Sequence, residues 1–385
     1  MKQILDTISA GQAGIQEHFH YLHQHPGLAF EETVAASYIA GKLREWGYEV
    51  TEGLGQTGVV ARLKVGDGQA SIGLRADTDA LPVQEGADLP YKSQIASKSH
   101  MCGHDAHSAM LLGAAEYLAK TKNFNGTLNL VFQPAEEIMA GAPGMIADGL
   151  LEKFPMDVIF GMHNMPGLPA GKLHFTSGPI MAAVDNWEIV LTGVGSHGSM
   201  PEKSIDPLVA GAALVMSLQT IVSRNVAPMD AAVVSVGAFQ SGDAGNVIPQ
   251  NATLRLSVRT RKPETRQMVL DKIRSITKAT AEAYNVQSEI KEGPPGAILI
   301  NNPEQTERCT QIARALLGED QVVNPGPTFM GSEDFAFYAE KIPGVYAFVG
   351  NGDTYNVHHP MYVFDEKVLP VGSAYWVAIA ESYLK

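Results

Sequence analysis

The densest run of reactive side chains is His100-Met-Cys-Gly-His-Asp-Ala-His107. Cys102 and His104 stand two apart, so in an extended loop both project from one side. The residues that follow read as a helix, whose N-terminal dipole favours a thiolate at Cys102. A thiolate within reach of an imidazole is half of a metal site; a buried cysteine beside loop histidines is the plain alternative. The other ligands must come from elsewhere. Gln133-Pro-Ala-Glu-Glu137 places two adjacent carboxylates after a strongly apolar strand, where ligand sites of open α/β sheets collect. Neighbouring side chains point differently, so one glutamate can bind metal while the other faces a reacting water. A solvated acidic turn is the competing meaning. Gly161-Met-His163-Asn puts a polar residue just after another buried strand, and Val357-His-His-Pro360 adds two histidines in a Gly/Asp/Asn-rich loop. Each signal is weak alone. Four ligand-type signals at strand ends point the same way.

The elements that must carry these residues alternate in the first third of the chain. A helix is predicted over Thr33–Trp46, closed by Gly47, and strands over Val59–Val65 and Ser71–Arg75. Asp105 suits the N-cap of a helix through Met110, Leu111, Ala114 and Leu118. Leu128–Phe132 and Val158–Gly161 read as buried strands, and the alternation predicts an α/β layer with a mixed, largely parallel sheet. Near residue 182 the pattern changes. A strand around Trp187, Ile189 and Leu191 leads to a helix capped by Asp206-Pro207. Strands at Ala231–Phe239 and Ala252–Thr260, a helix from Pro263 and a strand Val286–Glu292 complete a β-α-β-β-α-β order, the ferredoxin-like α+β arrangement. The expected organisation is one α/β domain split into 1–181 and 295–385, with a module inserted at 182–294.

A chain of 385 residues exceeds one ordinary core. Its net charge of −13, from 28 basic and 41 acidic residues, argues against a nucleic-acid binder, since no basic run could neutralise several phosphates. Two cysteines do not make a disulfide scaffold. The N-terminus has no apolar core segment, and no stretch approaches 18 uninterrupted apolar residues, so a cytoplasmic protein without a membrane partner is expected. Gly193-Val-Gly-Ser-His-Gly198 matches the dinucleotide-binding glycine pattern, but Met200-Pro201 follows instead of a helix start and no acid stands near residue 218.

Arg75-Ala-Asp-Thr-Asp-Ala-Leu-Pro82, Met101-Cys-Gly-His-Asp105, Gln133-Pro-Ala-Glu-Glu137, Gly161-Met-His163, Asn246-Val-Ile-Pro249, Gly331-Ser-Glu-Asp-Phe335 and His358-His-Pro360 occur in that order. Together they resemble the aminoacylase/carboxypeptidase family of dinuclear metallopeptidases, in its amidohydrolase branch, over nearly the whole chain. The resemblance implies that Cys102, His104, Glu137, His163 and His358 hold two divalent metal ions, with Cys102 where other branches use a bridging aspartate. It implies Glu136 as general base and Asp77 as the aspartate that orients a ligand histidine. His197 matches a lid histidine that reaches into the partner subunit's active site, although Gly195-Ser-His stands here for the usual Gly-Gly-His. Asn246, Arg259, Gly331 and Ser332 match substrate-contacting positions. Between His358 and His359, the family register favours His358.

The implied activity is hydrolysis of the amide bond of N-acyl amino acids, releasing a carboxylic acid and a free amino acid. The inserted module would serve as lid and homodimer (or tetramer) interface. Zinc or manganese would suit the ligands, and cobalt or nickel could replace them. A dipeptidase, a carboxypeptidase or an N-acetyl-diaminopimelate deacetylase would use the same ligand set. A non-catalytic metal- or peptide-binding protein is the rival from another class, and Glu136 argues against it because a binding module needs no base. The remaining histidines have ordinary readings: His18, His20, His23 and His25 as surface or packing residues, His100 and His107 beside the metal loop, and His174 in a strand. Cys309 reads as a core thiol.

Overall fold

The computed structural model describes all 385 residues. The chain forms two compact units: Met1–Gly178 with Ile300–Pro327 and Glu333–Lys385, and Pro179–Leu299 with Thr328–Ser332. The second unit is thus wider than 182–294, and it takes in the 328–332 turn. Hydrogen bonds from distant parts of the unit hold that turn: Arg259 Nη1 donates to Met330 O at 2.9 Å and Ala182 N to Gly331 O at 2.9 Å.

The first unit is built on an eight-stranded sheet. In spatial order its strands are Glu49–Leu54, Gly58–Val65, Gly126–Gln133, Ser71–Asp77, Val158–Met165, Gly344–Gly350, Leu173–His174 and Val322–Val323. The central four are parallel to one another, and the N-terminal hairpin is antiparallel. Mixed, largely parallel architecture follows directly. Such strands are buried on both faces, which is why Leu128–Phe132 reads as one apolar run. Helices His104–Thr121 and Leu369–Tyr383 are buried nearly all round, as apolar-all-round helices must be.

One predicted boundary moves in a way that matters. Asp105 does not cap its helix. The helix begins at His104, with Gly103 at the N-cap in the left-handed region (φ +90°). A Cβ on Gly103 would lie 2.4 Å from Asn164 Nδ2, so only glycine fits. Asp105 instead sits in the first turn, and its Oδ2 meets His23 Nδ1 at 2.6 Å. His23 is therefore a buried ion-pair residue, not a bland surface position.

The second unit has the expected β-α-β-β-α-β order: strands Ala183–Thr192, Ala232–Gln240, Asn251–Thr260 and Gln287–Glu292 with helices Pro207–Asn225 and Pro263–Ala283. All neighbouring strands are antiparallel, with Ala183–Thr192 and Asn251–Thr260 central, as in ferredoxin-like units. Asp206 caps its helix by accepting from Leu208 N and Val209 N. Along Asn251–Thr260 the residues Leu254, Leu256 and Val258 face the core, leaving Arg259 on the opposite face. Helix Pro207–Asn225 is long and apolar enough to span a membrane by length and composition. Its inner face (Ala210, Leu214, Leu218, Ile221) packs in the unit's core, while Val209, Met216 and Val222 on the other side are exposed.

Candidate metal centre

The parallel strands Ser71–Asp77, Gly126–Gln133 and Val158–Met165 run in the same sense, so their C-terminal ends deliver side chains to one edge. Asp77 is the last residue of its strand and pairs in register with Gln133, the last of the next. Just past them come Asp79 and the Glu136-Glu137 pair. His163 lies within its strand, which continues two residues further. The loop before helix His104–Thr121 adds Cys102, and the backbone bond from His358 N to Met101 O, 2.6 Å, ties the distant histidine loop to it.

Five sequence-predicted ligands meet at this edge. Ligand atoms of Cys102, His104 and His163 all lie within 4.8 Å of one another, as do those of Cys102, Glu137 and His358. The Cys102 sulfur belongs to both groups. Cys102 Sγ and His163 Nε2 are 3.4 Å apart, and His358 Nε2 and Glu137 Oε2 3.3 Å. His359 points elsewhere: its ring stacks on Tyr355 at 4.3 Å and its Nδ1 accepts from Met361 N. Glu136 stands beside the groups, its Oε2 4.0 Å from His104 Nε2.

Protonation states can be argued from the hydrogen bonds. His163 Nδ1 lies 2.5 Å from the Asn164 carbonyl, which can only accept, so Nδ1 carries the proton and Nε2 presents a lone pair towards Cys102. Burial, then the neighbouring His107, hold this imidazole well below its ordinary pKa, in the neutral form a ligand needs. His107 Nε2 accepts from Asn164 N at 3.0 Å, so its Nδ1 donates to Asp77 Oδ1 at 2.6 Å. The bond to the candidate ligand His104 comes from a different carboxylate. His104 Nδ1 meets Asp79 Oδ1 at 3.1 Å, whereas Asp77 Oδ2 is 3.9 Å from His104 Nε2. The orienting role expected of Asp77 is therefore filled by Asp79, and Asp77 orients His107. Asp79 Oδ2 also accepts from Glu137 N at 2.9 Å, so one carboxylate fixes both a histidine and a glutamate of the cluster.

The donor set fits divalent metal on two counts. First, His104 Nε2 and Glu137 Oε1 are buried, have no hydrogen-bond partner, and face each other at 3.9 Å. Leaving such atoms unsatisfied costs about 1–3 kcal/mol each, so the pair calls for a group between them. Second, the field is set for a cation. Burial pushes the Cys102 thiol well up, and Glu137 adds to this, against the dipole argument from the helix N-terminus. Burial would lower His104, but Asp77 and Cys102 reverse that and raise it well above its ordinary value. A bound cation is what favours thiolate and neutral imidazole together.

Glu136 differs from its neighbour. Burial, then Glu333, Asp334 and Glu137, push its carboxyl well up. Burial alone would also raise Glu137, but the hydrogen bond from His358 and the charge of His104 hold it below the usual range. Adjacent glutamates are thus split into a proton acceptor and an anionic ligand type. Behind them lies a cluster in which only Asp77 was assigned a role from sequence. The fully buried Arg75 guanidinium bonds Gln133 Oε1 (2.9 Å), Asp77 Oδ2 (2.7 Å), Glu333 Oε1 (2.8 Å) and Asp334 Oδ1 (3.0 Å). Burial pushes Asp334 up to about 8 against the pull of Arg75. Arg75, Asp79, Glu333 and Asp334 all lie inside the motifs quoted above, so the signal for them was present in the sequence, without an indication of which carboxylate each cation takes.

The remaining predicted residues lie in the second unit. His197 and Ser196 form a two-residue strand paired with Val247-Ile248, and Gly198 N donates to Asn246 O at 2.7 Å, which brings His197 and Asn246 together. His197 is exposed, and its Nδ1 accepts from Ser199 N at 3.1 Å, so the neutral ring carries its proton on Nε2. Arg259 Nη1 reaches Met330 O and Ser332 Oγ, at 2.9 and 3.3 Å, bringing Arg259 to the Gly331-Ser332 turn. His100 is buried with neither ring nitrogen bonded, and burial pushes it down to about 4. Cys309 is a buried thiol pushed up to about 12.

The sequence model of the peptidase family M20/M25/M40 matches residues 73–382. The chain is 46% identical over 366 residues to hippurate hydrolase of Campylobacter jejuni, covering 95% of each protein. It is 38% identical to N-acetylcysteine deacetylase of Bacillus subtilis, covering 93% of this chain and 94% of that one. Among solved structures it is similar to the YxeP protein of Bacillus subtilis, a dinuclear metal-binding peptidase from the M20 family, with a TM-score of 0.86 at 36% identity over 98% and 99% of the two chains. The family model over residues 73–382 agrees with relatives and fold that match over almost the full length: the chain belongs to the peptidase family M20/M25/M40.

Proposed function

We propose that the protein is a metal-dependent amidohydrolase that cleaves the amide bond of N-acyl amino acids. The observation that carries this reading is the placing of the buried Glu136 carboxylate, 4.0 Å from His104 Nε2, beside a Cys/His/Glu cluster that fits metal. A hippurate hydrolase and an N-acetylcysteine deacetylase as relatives support the same substrate class. Cys102, His104, Glu137, His163 and His358 would hold two divalent ions, zinc or manganese by donor type, with cobalt or nickel as substitutes. When bound, the metals supply a Lewis acid for the carbonyl and lower the pKa of water towards about 7.

The chain's own groups do the rest. Glu136 takes the proton of the attacking water and returns it to the leaving nitrogen, a base-then-acid sequence that needs a carboxyl of raised pKa. His197 of the partner subunit, protonated on Nε2, donates to the tetrahedral oxyanion, as such donors do in other hydrolases. Arg259 uses one nitrogen to hold the Met330–Ser332 turn, and its fork geometry suits a grip on the substrate carboxylate. The Gly331-Ser332 turn completes that subsite, and Asn246, beside His197, is a further substrate-contacting candidate. The exposed Val209 and Met216, two turns apart on one face of helix Pro207–Asn225, support assembly through the second unit.

Glu136→Gln is expected to abolish turnover of N-benzoyl- and N-acetyl-amino acids while two equivalents of metal stay bound. Retained activity would overturn the reading. Mixing His197→Ala with Glu136→Ala protomers should restore partial activity in heterodimers, and no recovery would exclude a donor acting across the dimer.

A further inference from the structure

Glu32 is a 1% exposed carboxylate outside the metal cluster. It sits at the N-cap position of helix Thr33–Glu45 yet makes no capping bond. Its oxygens go elsewhere. Oε1 accepts from Phe30 N at 3.0 Å and from Ala135 N at 2.9 Å, and Oε2 accepts from Thr57 Oγ1 at 2.6 Å. Both amides bound to Oε1 belong to residues in the left-handed region: Phe30 at φ +65° and Ala135 at φ +52°. That region is disfavoured for any residue with a Cβ, and its use near a reacting centre needs support from surrounding structure.

Ala135 is the residue before Glu136. Its carbonyl accepts from Ala140 N and Gly141 N, both at 3.1 Å, so its two flanking peptides are held on both sides. The turn leaves little room for adjustment, since a Cβ on Gly141 would fall 1.6 Å from Pro134 O. The φ of Ala135 sets the direction in which the chain leaves towards Glu136 and Glu137. Asp79 holds the next-but-one amide, Glu137 N, between the two glutamates. Glu136 therefore lies between two backbone amides that are each clamped by a buried carboxylate.

We propose that Glu32 is a positioning residue for the hydrolytic reaction: by binding the Ala135 amide it holds the left-handed turn from which Glu136 and Glu137 project. The proposal rests on the reading of Glu136 as the base. All three donors to Glu32 are neutral, so its acceptor atoms matter and its charge does not. Glutamine would accept both amides on its Oε1 and donate to Thr57 Oγ1 through its nitrogen, keeping the hold.

The test is steady-state kinetics at saturating metal, with metal content and melting temperature measured on each variant. Glu32→Ala is expected to lower kcat about 10- to 100-fold, the range for residues that orient a metal site from outside it, with KM near the native value. Glu32→Gln should stay close to native. Ala135→Gly introduced into Glu32→Ala should restore a substantial part of kcat, because glycine adopts a positive φ unaided. If Glu32→Ala does not fold, Glu32→Asp takes its place: one methylene shorter, it cannot span Thr57 and Ala135. Native kcat in the alanine or aspartate variant overturns the proposal. So does a Glu32→Gln loss equal to that of alanine, or a double variant no better than the single. Active Glu136→Gln in the same assay would instead overturn the reading beneath it.

Discussion

Replacing Asp79 by Asn changes one atom in kind and leaves the volume alone. In the native site Oδ1 receives His104 Nδ1 at 3.1 Å and Oδ2 receives Glu137 N at 2.9 Å, two donors on two acceptors. An amide offers one acceptor and one donor, so one of those contacts must become donor against donor. If the amide nitrogen turns to Glu137 N, a buried backbone donor is left unsatisfied, at a cost of about 1–3 kcal/mol. If it turns to His104, the ring relieves the clash by moving its proton from Nδ1 to Nε2, the nitrogen that faces Glu137 and Cys102. A protonated Nε2 cannot bind metal. Either way the loss falls on the cluster. The expected drop in metal affinity is about 10- to 100-fold, equivalent to about 1.4–2.8 kcal/mol. Competition with a chelator of known affinity, alongside urea denaturation of the metal-free protein, measures both quantities. Asp79→Asn with native metal affinity and native stability would refute the assignment of Asp79 as the carboxylate that orients His104.

Two further outcomes follow from buried charge. His23 lies between Asp105 and Glu85; burial alone would lower its pKa, but these carboxylates raise it to about 9. The folded value lies above the ordinary 6.5, so the stabilisation is complete below pH 6.5 and lost as pH rises through about 9. The difference in unfolding free energy between native protein and His23→Gln should be about 3 kcal/mol at its acidic plateau and shrink across that window; denaturation curves at a series of pH values that show a constant gap would contradict it. Arg75→Met leaves Asp77, Glu333 and Asp334 without their shared cation and should cost about 3–5 kcal/mol by urea denaturation. Arg75→Lys should recover little, because a single ammonium cannot reproduce a planar fork reaching three carboxylates.

Much of the molecule was legible before folding. The family resemblance implied Cys102, His104, Glu137, His163 and His358 as ligands, and the structure brings all five to one sheet edge. Period-2 and period-3.6 patterns were enough for the β-α-β-β-α-β unit, because its helices and its central strands bury one face and expose the other. Asp206 was recognisable as a cap for the same local reason: a side chain two residues from the amide it binds needs no tertiary information. Asp105 shows the limit. Its type suits a cap, yet a long-range partner, His23, claims the carboxylate and Gly103 takes the cap.

Which aspartate serves which histidine was equally closed to the sequence. Asp77 and Asp79 are two apart, and one is the last residue of a strand while the other lies beyond it; which imidazole each meets depends on where the Cys102–His104 loop crosses that strand end. The N-terminal segment gave no sign that Glu32 would reach Ala135, because that contact spans 103 positions and is set by how the helix after Glu32 docks on the sheet. Periodicity determined the fold class, and the resemblance carried by the motifs and their order implied the family and the candidate ligands, since these depend on residue type and local spacing. Hydrogen-bond pairing, tautomers and the proton affinities that separate Glu136 from Glu137 were decided only by the tertiary structure, since they depend on directions and burial between residues far apart in the chain.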